Sequence, residues 1–134
     1  ISPLALDLAR ARLGPEQAAR VAWVDADLLT WAPTRTYDVW HDRAVLHFMT
    51  ADDDRAAYRR ALLAATAPGS IAVFGVFGPA GPEACSGLPT RRYSAEDLAD
   101  FLGADFTLLG SELRIHRTPA GADQQFLWAR AMRR

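Results

Sequence analysis

The near-continuous apolar run from Ser70 to Phe77, carrying Ile71, Val73, Phe74, Val76 and Phe77, constrains the fold more than any other stretch. Pro68-Gly69 stops a helical pattern just before it, and a Gly- and Pro-rich loop from Gly78 to Pro89 follows it. A short apolar run without alternation, bounded by breakers and preceded by a helix, reads as a strand buried on both faces inside a parallel sheet. Such a strand needs helices on the sheet's faces and other short apolar strands beside it. Val21 to Asp25 and Tyr37 to Trp40 have the length and character for that role. Both are expected to run parallel to the Ser70 strand.

The helical patterns fall between these runs. Ser2 to Leu13 has Leu4 and Leu8 at helical spacing, Ser2 as a cap, Pro3 in the first turn and Gly14-Pro15 as a stop. Asp52 to Ala67 places Tyr58, Leu62 and Leu63 on one face and Arg55, Arg59 and Arg60 toward solvent. Ser94-Ala95-Glu96-Asp97 opens a third helix with an acidic first turn, which Gly103 ends. Phe106 to His116 and Gln124 to Met132 are strands whose short connection, Arg117 to Gly121, implies an antiparallel pair. The expected class is α/β, a Rossmann-like sheet that is mostly parallel and ends in a C-terminal antiparallel hairpin. At 134 residues, half of them hydrophobic, residues 1–134 make one domain.

Charge excludes some partners. A net charge of -1 gives no general attraction to nucleic acid or to an acidic membrane surface. All 15 basic residues are Arg, which excludes a Schiff-base lysine. The single Cys85 cannot form an internal disulfide, and no transmembrane run is visible, so a cytoplasmic setting is expected. The three histidines, His41, His47 and His116, are too dispersed for a zinc site.

The polar cluster His41, Asp42 and Arg43 follows the Tyr37 strand and precedes a pattern, Ala44 to Met49, that resembles an amphipathic helix. Open α/β sheets hold ligands beyond the carboxyl ends of their strands, which makes the cluster a candidate site. The competing reading is a solvated turn in which Asp42 caps the next helix and pairs with Arg43.

Trp40-His41-Asp42-Arg43-Ala44-Val45-Leu46-His47-Phe48 resembles the segment after strand four in small bacterial members of the class I S-adenosylmethionine-dependent methyltransferases. Val24-Asp25-Ala26-Asp27-Leu28, Pro68-Gly69-Ser70, Cys85-Ser86-Gly87-Leu88-Pro89, Tyr93 and His116-Arg117-Thr118-Pro119 resemble later or earlier family segments in the right order. The resemblance implies S-adenosyl-L-methionine as methyl donor and a small-molecule acceptor, with no metal. It implies that Asp27 accepts from the adenine amino group and that the Leu28 amide reaches a ring nitrogen, with Asp25 as the competitor for Asp27's role. It places His41, Asp42 and Arg43 beside the methyl group. There His41 could act as general base and also meet the cofactor, and Asp42 could orient the cofactor's ammonium or the substrate. Arg43 could bind an anionic substrate or pair with Asp42. His47 is expected to be a hydrogen-bonded structural residue, Cys85 pocket-lining or structural, His116 a hairpin residue, and the four Trp core or rim.

The family's Gly-rich cofactor loop and the acidic residue after strand two would precede Ile1, so the N-terminal βαβ unit is expected to be missing. Those strands lie between strands three and four in the family, a separation of roughly 14 Å at the usual strand spacing. The second functional class is therefore a non-catalytic or truncated methyltransferase-like module acting in association. Enzymes acting on nucleic acid are disfavoured because the Asn/Asp-Pro-Pro-aromatic signature is absent after Trp40.

Overall fold

The structure, a computed structural model, describes residues 2–134. Helix α1 (Pro3–Ala18) begins where Ser2 caps it by accepting from the Ala5 amide, and Pro3 sits in its first turn. The expected stop at Gly14-Pro15 appears as a kink: Gly14 takes φ 75°, ψ 162°, and a further turn continues to Ala18. No residue of α1 is buried.

Strand β1 (Tyr37–Arg43) pairs in parallel with β2 (Thr66–Phe77), with helix α2 (Asp52–Ala65) as the crossover between them. A two-residue hairpin, β3 (Ala84–Cys85) and β4 (Leu88–Pro89), interrupts the expected long loop. Helix α3 (Ala95–Leu102) leads to β5 (Phe106–Arg117) and β6 (Asp123–Arg133). The main sheet has the order β1-β2-β6-β5, with β6 antiparallel to both of its neighbours. The terminal hairpin is thus as expected, and the sheet is mixed, with one parallel pairing and two antiparallel ones among the described residues.

Two expectations need correction. Val21 to Asp25 is not a strand: no described strand lies beside it, and Val21 and Val24 are exposed. An apolar run becomes a strand only when a ladder satisfies its backbone, and here none does. The stretch after Arg43 is not an amphipathic helix but a single 3-10 turn, Leu46–Phe48. Ala44, at φ 65°, turns the chain in the left-handed region before that turn can lengthen.

The core lies on one face of the sheet. Ala72, Phe74 and Val76 of β2 and Leu127, Ala129 and Ala131 of β6 point toward α2 and α3. These supply Tyr58 and Leu62, and Leu98, Phe101 and Leu102. Burial of these side chains, at roughly 25 cal/mol per Å² of apolar surface, is the main force holding the two helices to the sheet. Ser94 and Asp97 exchange side-chain-to-backbone hydrogen bonds in a capping box that starts α3. Asp105 then ties the helices to the sheet, bridging Arg59 of α2 and Arg133 of β6. The opposite face is more open. Ile71 and Val73 are half-buried there, and Val39, which pairs with Ile71, is exposed. A cavity of about 560 Å³ lies on this face between Val73, Trp128, Glu112 and Arg130.

Candidate active site

Strand geometry decides which of the clustered residues meet. Side chains alternate across a strand, and β1 continues through Arg43. His41 and Arg43 therefore face the open side of the sheet, while Trp40 and Asp42 face α2. The three residues singled out from the sequence do not converge on one pocket.

Asp42 is buried at 4% exposure and fully engaged. Its Oδ1 accepts from the Val45 amide at 3.0 Å. Its Oδ2 accepts from the Leu46 amide at 3.0 Å and from the Tyr58 hydroxyl at 2.5 Å. Trp40 Nε1 donates to the same Tyr58 oxygen at 3.0 Å. Asp42 thus caps the 3-10 turn, as the non-catalytic reading proposed, but it does not pair with Arg43. Burial raises its carboxyl above the ordinary value, against the lowering effect of the hydrogen bonds from Tyr58, Val45 and Leu46. Burial, reinforced by the neighbouring Asp42 carboxylate, raises Tyr58 well above a normal phenol.

This strut holds the corner at Ala44, whose amide donates to Gly75 O at 2.8 Å. An L-residue in the left-handed region carries a penalty of roughly 1–2 kcal/mol. Ala44→Gly is accordingly expected to stabilise the fold by about 0.5–1 kcal/mol, after Gly's larger entropy loss is subtracted. Urea denaturation checks this, and a destabilised variant would show that the corner does not hold its left-handed turn.

On the open side, His41 tilts against Trp128 with ring centroids 6.4 Å apart. Arg43 lies over the Phe126 ring at 5.4 Å. Phe126 is the hub of a second cluster that the sequence did not reveal. Phe77 meets it edge-on at 4.9 Å, His47 lies 6.4 Å away, and His116 lies 6.0 Å away at 90°. The register explains the meeting, since Phe77 pairs with Phe126 and His116 with Gln124 at the carboxyl ends of β2 and β5. His47 stacks on Phe77 at 4.2 Å and is 0% exposed. Neither of its ring nitrogens has a hydrogen-bond partner among the described residues, which corrects the expected hydrogen-bonded role. Desolvation lowers its pKa to about 4, so the ring is neutral at physiological pH. Its backbone carbonyl accepts from the Arg91 amide at 2.7 Å, which anchors the segment after the β3–β4 hairpin beside it.

Asp27 lies outside both clusters. Its Oδ1 accepts from the Leu29 amide at 2.9 Å and its carbonyl from the Thr30 amide at 3.1 Å, forming a tight turn. The other carboxylate oxygen and the Leu28 amide have no partner among the described residues. Leu28 packs against the core, and Asp25 is exposed nearby in sequence. Cys85 is a free, half-buried thiol in the hairpin.

No family model matches the sequence, and no curated protein is significantly similar to it. Solved structures do match it along nearly its whole length. The 1,6-didemethyltoxoflavin-N1-methyltransferase of Burkholderia thailandensis superposes with TM-score 0.74 at 23% identity, covering 99% of this chain and 58% of that one. The N-methyltransferase NodS of Bradyrhizobium japonicum gives 0.73 at 18%, covering 98% and 69%. A Methanosarcina mazei protein described as a SAM-dependent methyltransferase gives 0.68 at 13%, covering 99% and 79%. The fold is that of the class I S-adenosylmethionine-dependent methyltransferases. The chain spans about three fifths of the Burkholderia enzyme's length and just over two thirds of NodS. In this methyltransferase fold β1 and β2 are neighbouring parallel strands whose carboxyl ends carry Arg43 and Phe77, with His47 in the 3-10 turn that follows β1.

Proposed function

We propose that the protein carries out S-adenosyl-L-methionine-dependent methyl transfer to a small-molecule acceptor. The observation that supports this best is the superposition of 99% of the chain on a methyltransferase whose structure holds 1,6-didemethyltoxoflavin and S-adenosylhomocysteine. The alternative of a non-catalytic module has no observation in its favour. No helix is long and apolar enough to cross a membrane among the described residues.

The adenine edge suits the residues present. The unpaired carboxylate oxygen of Asp27 can accept from an amino group, and the unpaired Leu28 amide can donate to a ring nitrogen; Asp25 is the reserve acceptor. S-adenosylmethionine, when bound, supplies the methyl group as an already activated sulfonium. The work left to the protein is alignment, exclusion of water and removal of a proton. His41 and Arg43 face the open side at the end of β1, where His41 can take a proton and meet the cofactor while Arg43 orients the acceptor. Asp42, engaged by three donors on the other side of the strand, positions the corner and does not meet the acceptor.

Calorimetric titration with S-adenosylhomocysteine tests this reading. The protein is expected to bind in the micromolar range. Asp27→Ala should weaken binding by about 1–3 kcal/mol, the usual loss when a polar partner is removed. No binding would defeat the reading, and an unchanged affinity for Asp27→Ala would move the adenine contact to Asp25 or to backbone alone.

A further inference from the structure

We propose that β5 is a self-association edge, at which two copies of the protein join their sheets by antiparallel pairing of β5 with β5, centred on Leu113. The proposal is independent of the methyl-transfer reading. β5 ends the main sheet, so its outer edge has no strand beside it among the described residues. A free edge presents a row of unpaired backbone donors and acceptors, which is a template for another strand. This edge is long and regular enough to serve. Its bulge, at Leu109, lies near the start, and from Gly110 to Arg117 the strand runs in unbroken register with β6 and contains no proline. Every residue from Leu109 to Ile115 is exposed.

The edge also carries side chains that fit a second copy. Leu113 pairs with Leu127 and so lies on the helix-bearing side of the sheet, with Ile115 next along that face, yet the two are 53% and 62% exposed. Glu112 and Arg114 alternate with them on the other side, where they form an exposed ion pair at 2.8 Å. In antiparallel pairing about Leu113, residues equally far before and after it lie opposite each other on one face. Glu112 of each copy then opposes Arg114 of the other, and the two existing ion pairs close into a ring of alternating charges. On the other face Leu113 meets Leu113, and Ile115 lies diagonal to the second copy's Leu113. Neighbouring registers lose this match. Centring on Glu112 sets that carboxylate against itself, and centring on Arg114 does the same to the guanidinium. A centre between two residues turns one copy over and sets Leu113 against a charge. A two-fold interface needs a surface complementary to itself, and among these registers the one about Leu113 alone opposes unlike charges. Exposed ion pairs add little affinity, so they select the register while the backbone ladder and the leucines hold it.

Sedimentation velocity over a concentration series tests this on the protein. A monomer–dimer equilibrium in the micromolar range is expected. Glu112→Arg leaves only guanidinium groups around the two-fold axis, and Arg114→Glu leaves only carboxylates. Each variant should dimerise about tenfold more weakly or worse, since like charges are set opposite each other. An equimolar mixture of the two variants should dimerise again, because each guanidinium then faces a carboxylate of the other variant. Both positions are exposed, so both variants are expected to fold, which circular dichroism checks, and the measurement on the unaltered protein stands without them. A protein that stays monomeric to its solubility limit would overturn the proposal. So would a dimer that neither variant weakens, as one formed through β1 or the open face would be, or folded variants that associate no better together than apart.

Discussion

Asp42→Ala is expected to cost about 3–5 kcal/mol of folding stability, because it strands the buried Tyr58 hydroxyl and Leu46 amide together with the part-buried Val45 amide. The Tyr58 hydroxyl and the amides of Val45 and Leu46 all donate to this carboxylate. Tyr58 is 0% exposed, so its hydroxyl cannot turn to water without opening the core between β1 and α2. Removing a partner from a buried group leaves the full desolvation cost behind, roughly 1–3 kcal/mol for each orphan, moderated where the turn can relax. Asp42→Asn keeps one acceptor oxygen and should cost less. Tyr58→Phe removes one donor and leaves Trp40 Nε1 unpaired, and should fall between wild type and Asp42→Ala. Urea unfolding followed by circular dichroism measures all three. A loss below about 1 kcal/mol for Asp42→Ala would show that water or a rearranged turn satisfies these groups.

The parts of this molecule that could be read from the sequence are those set by near neighbours in the chain. Ser94 and Asp97 are three residues apart and form their capping box from local geometry alone. The apolar run of β2 and the short turn between β5 and β6 likewise declare themselves locally. The β1 residues were harder because the apolar pattern stops at Trp40 whereas the ladder with β2 continues to Arg43. Three more residues of strand put His41 and Arg43 on one side and Asp42 on the other, which a turn at Trp40 would not have done. Val21 to Asp25 shows the converse: apolar character without a neighbouring strand does not make a ladder. The aromatic cluster around Phe126 depends on register between β2, β5 and β6, so His47 and His116, 69 positions apart in sequence, are brought to the same ring by pairings no local pattern reports. The one available signal was the recurrence of Phe and His at strand ends.

The second large effect is a pH dependence carried by His47. In the unfolded chain its imidazole takes up a proton near the ordinary value of 6.5, while in the fold desolvation delays protonation to about 4. Between those values the unfolded state binds more protons, so stability falls as the pH drops from 6.5 to 4 and rises in the other direction. At about 1.4 kcal/mol per pH unit, the loss from neutral pH to below 4 is roughly 3 kcal/mol. Asp42 acts with the opposite sign. Its raised carboxyl takes up a proton more readily in the fold, so its contribution grows as the pH falls toward the ordinary value of 3.8 and shrinks as the pH rises through the folded-state value. The two trends overlap, so a single stability curve does not isolate either. The difference between wild type and His47→Leu does, because Asp42 is common to both chains and lies on the other face of the sheet. Replacing His47 should flatten the acid limb of the curve between pH 6.5 and 4, and parallel curves would show that the imidazole protonates freely in the folded state.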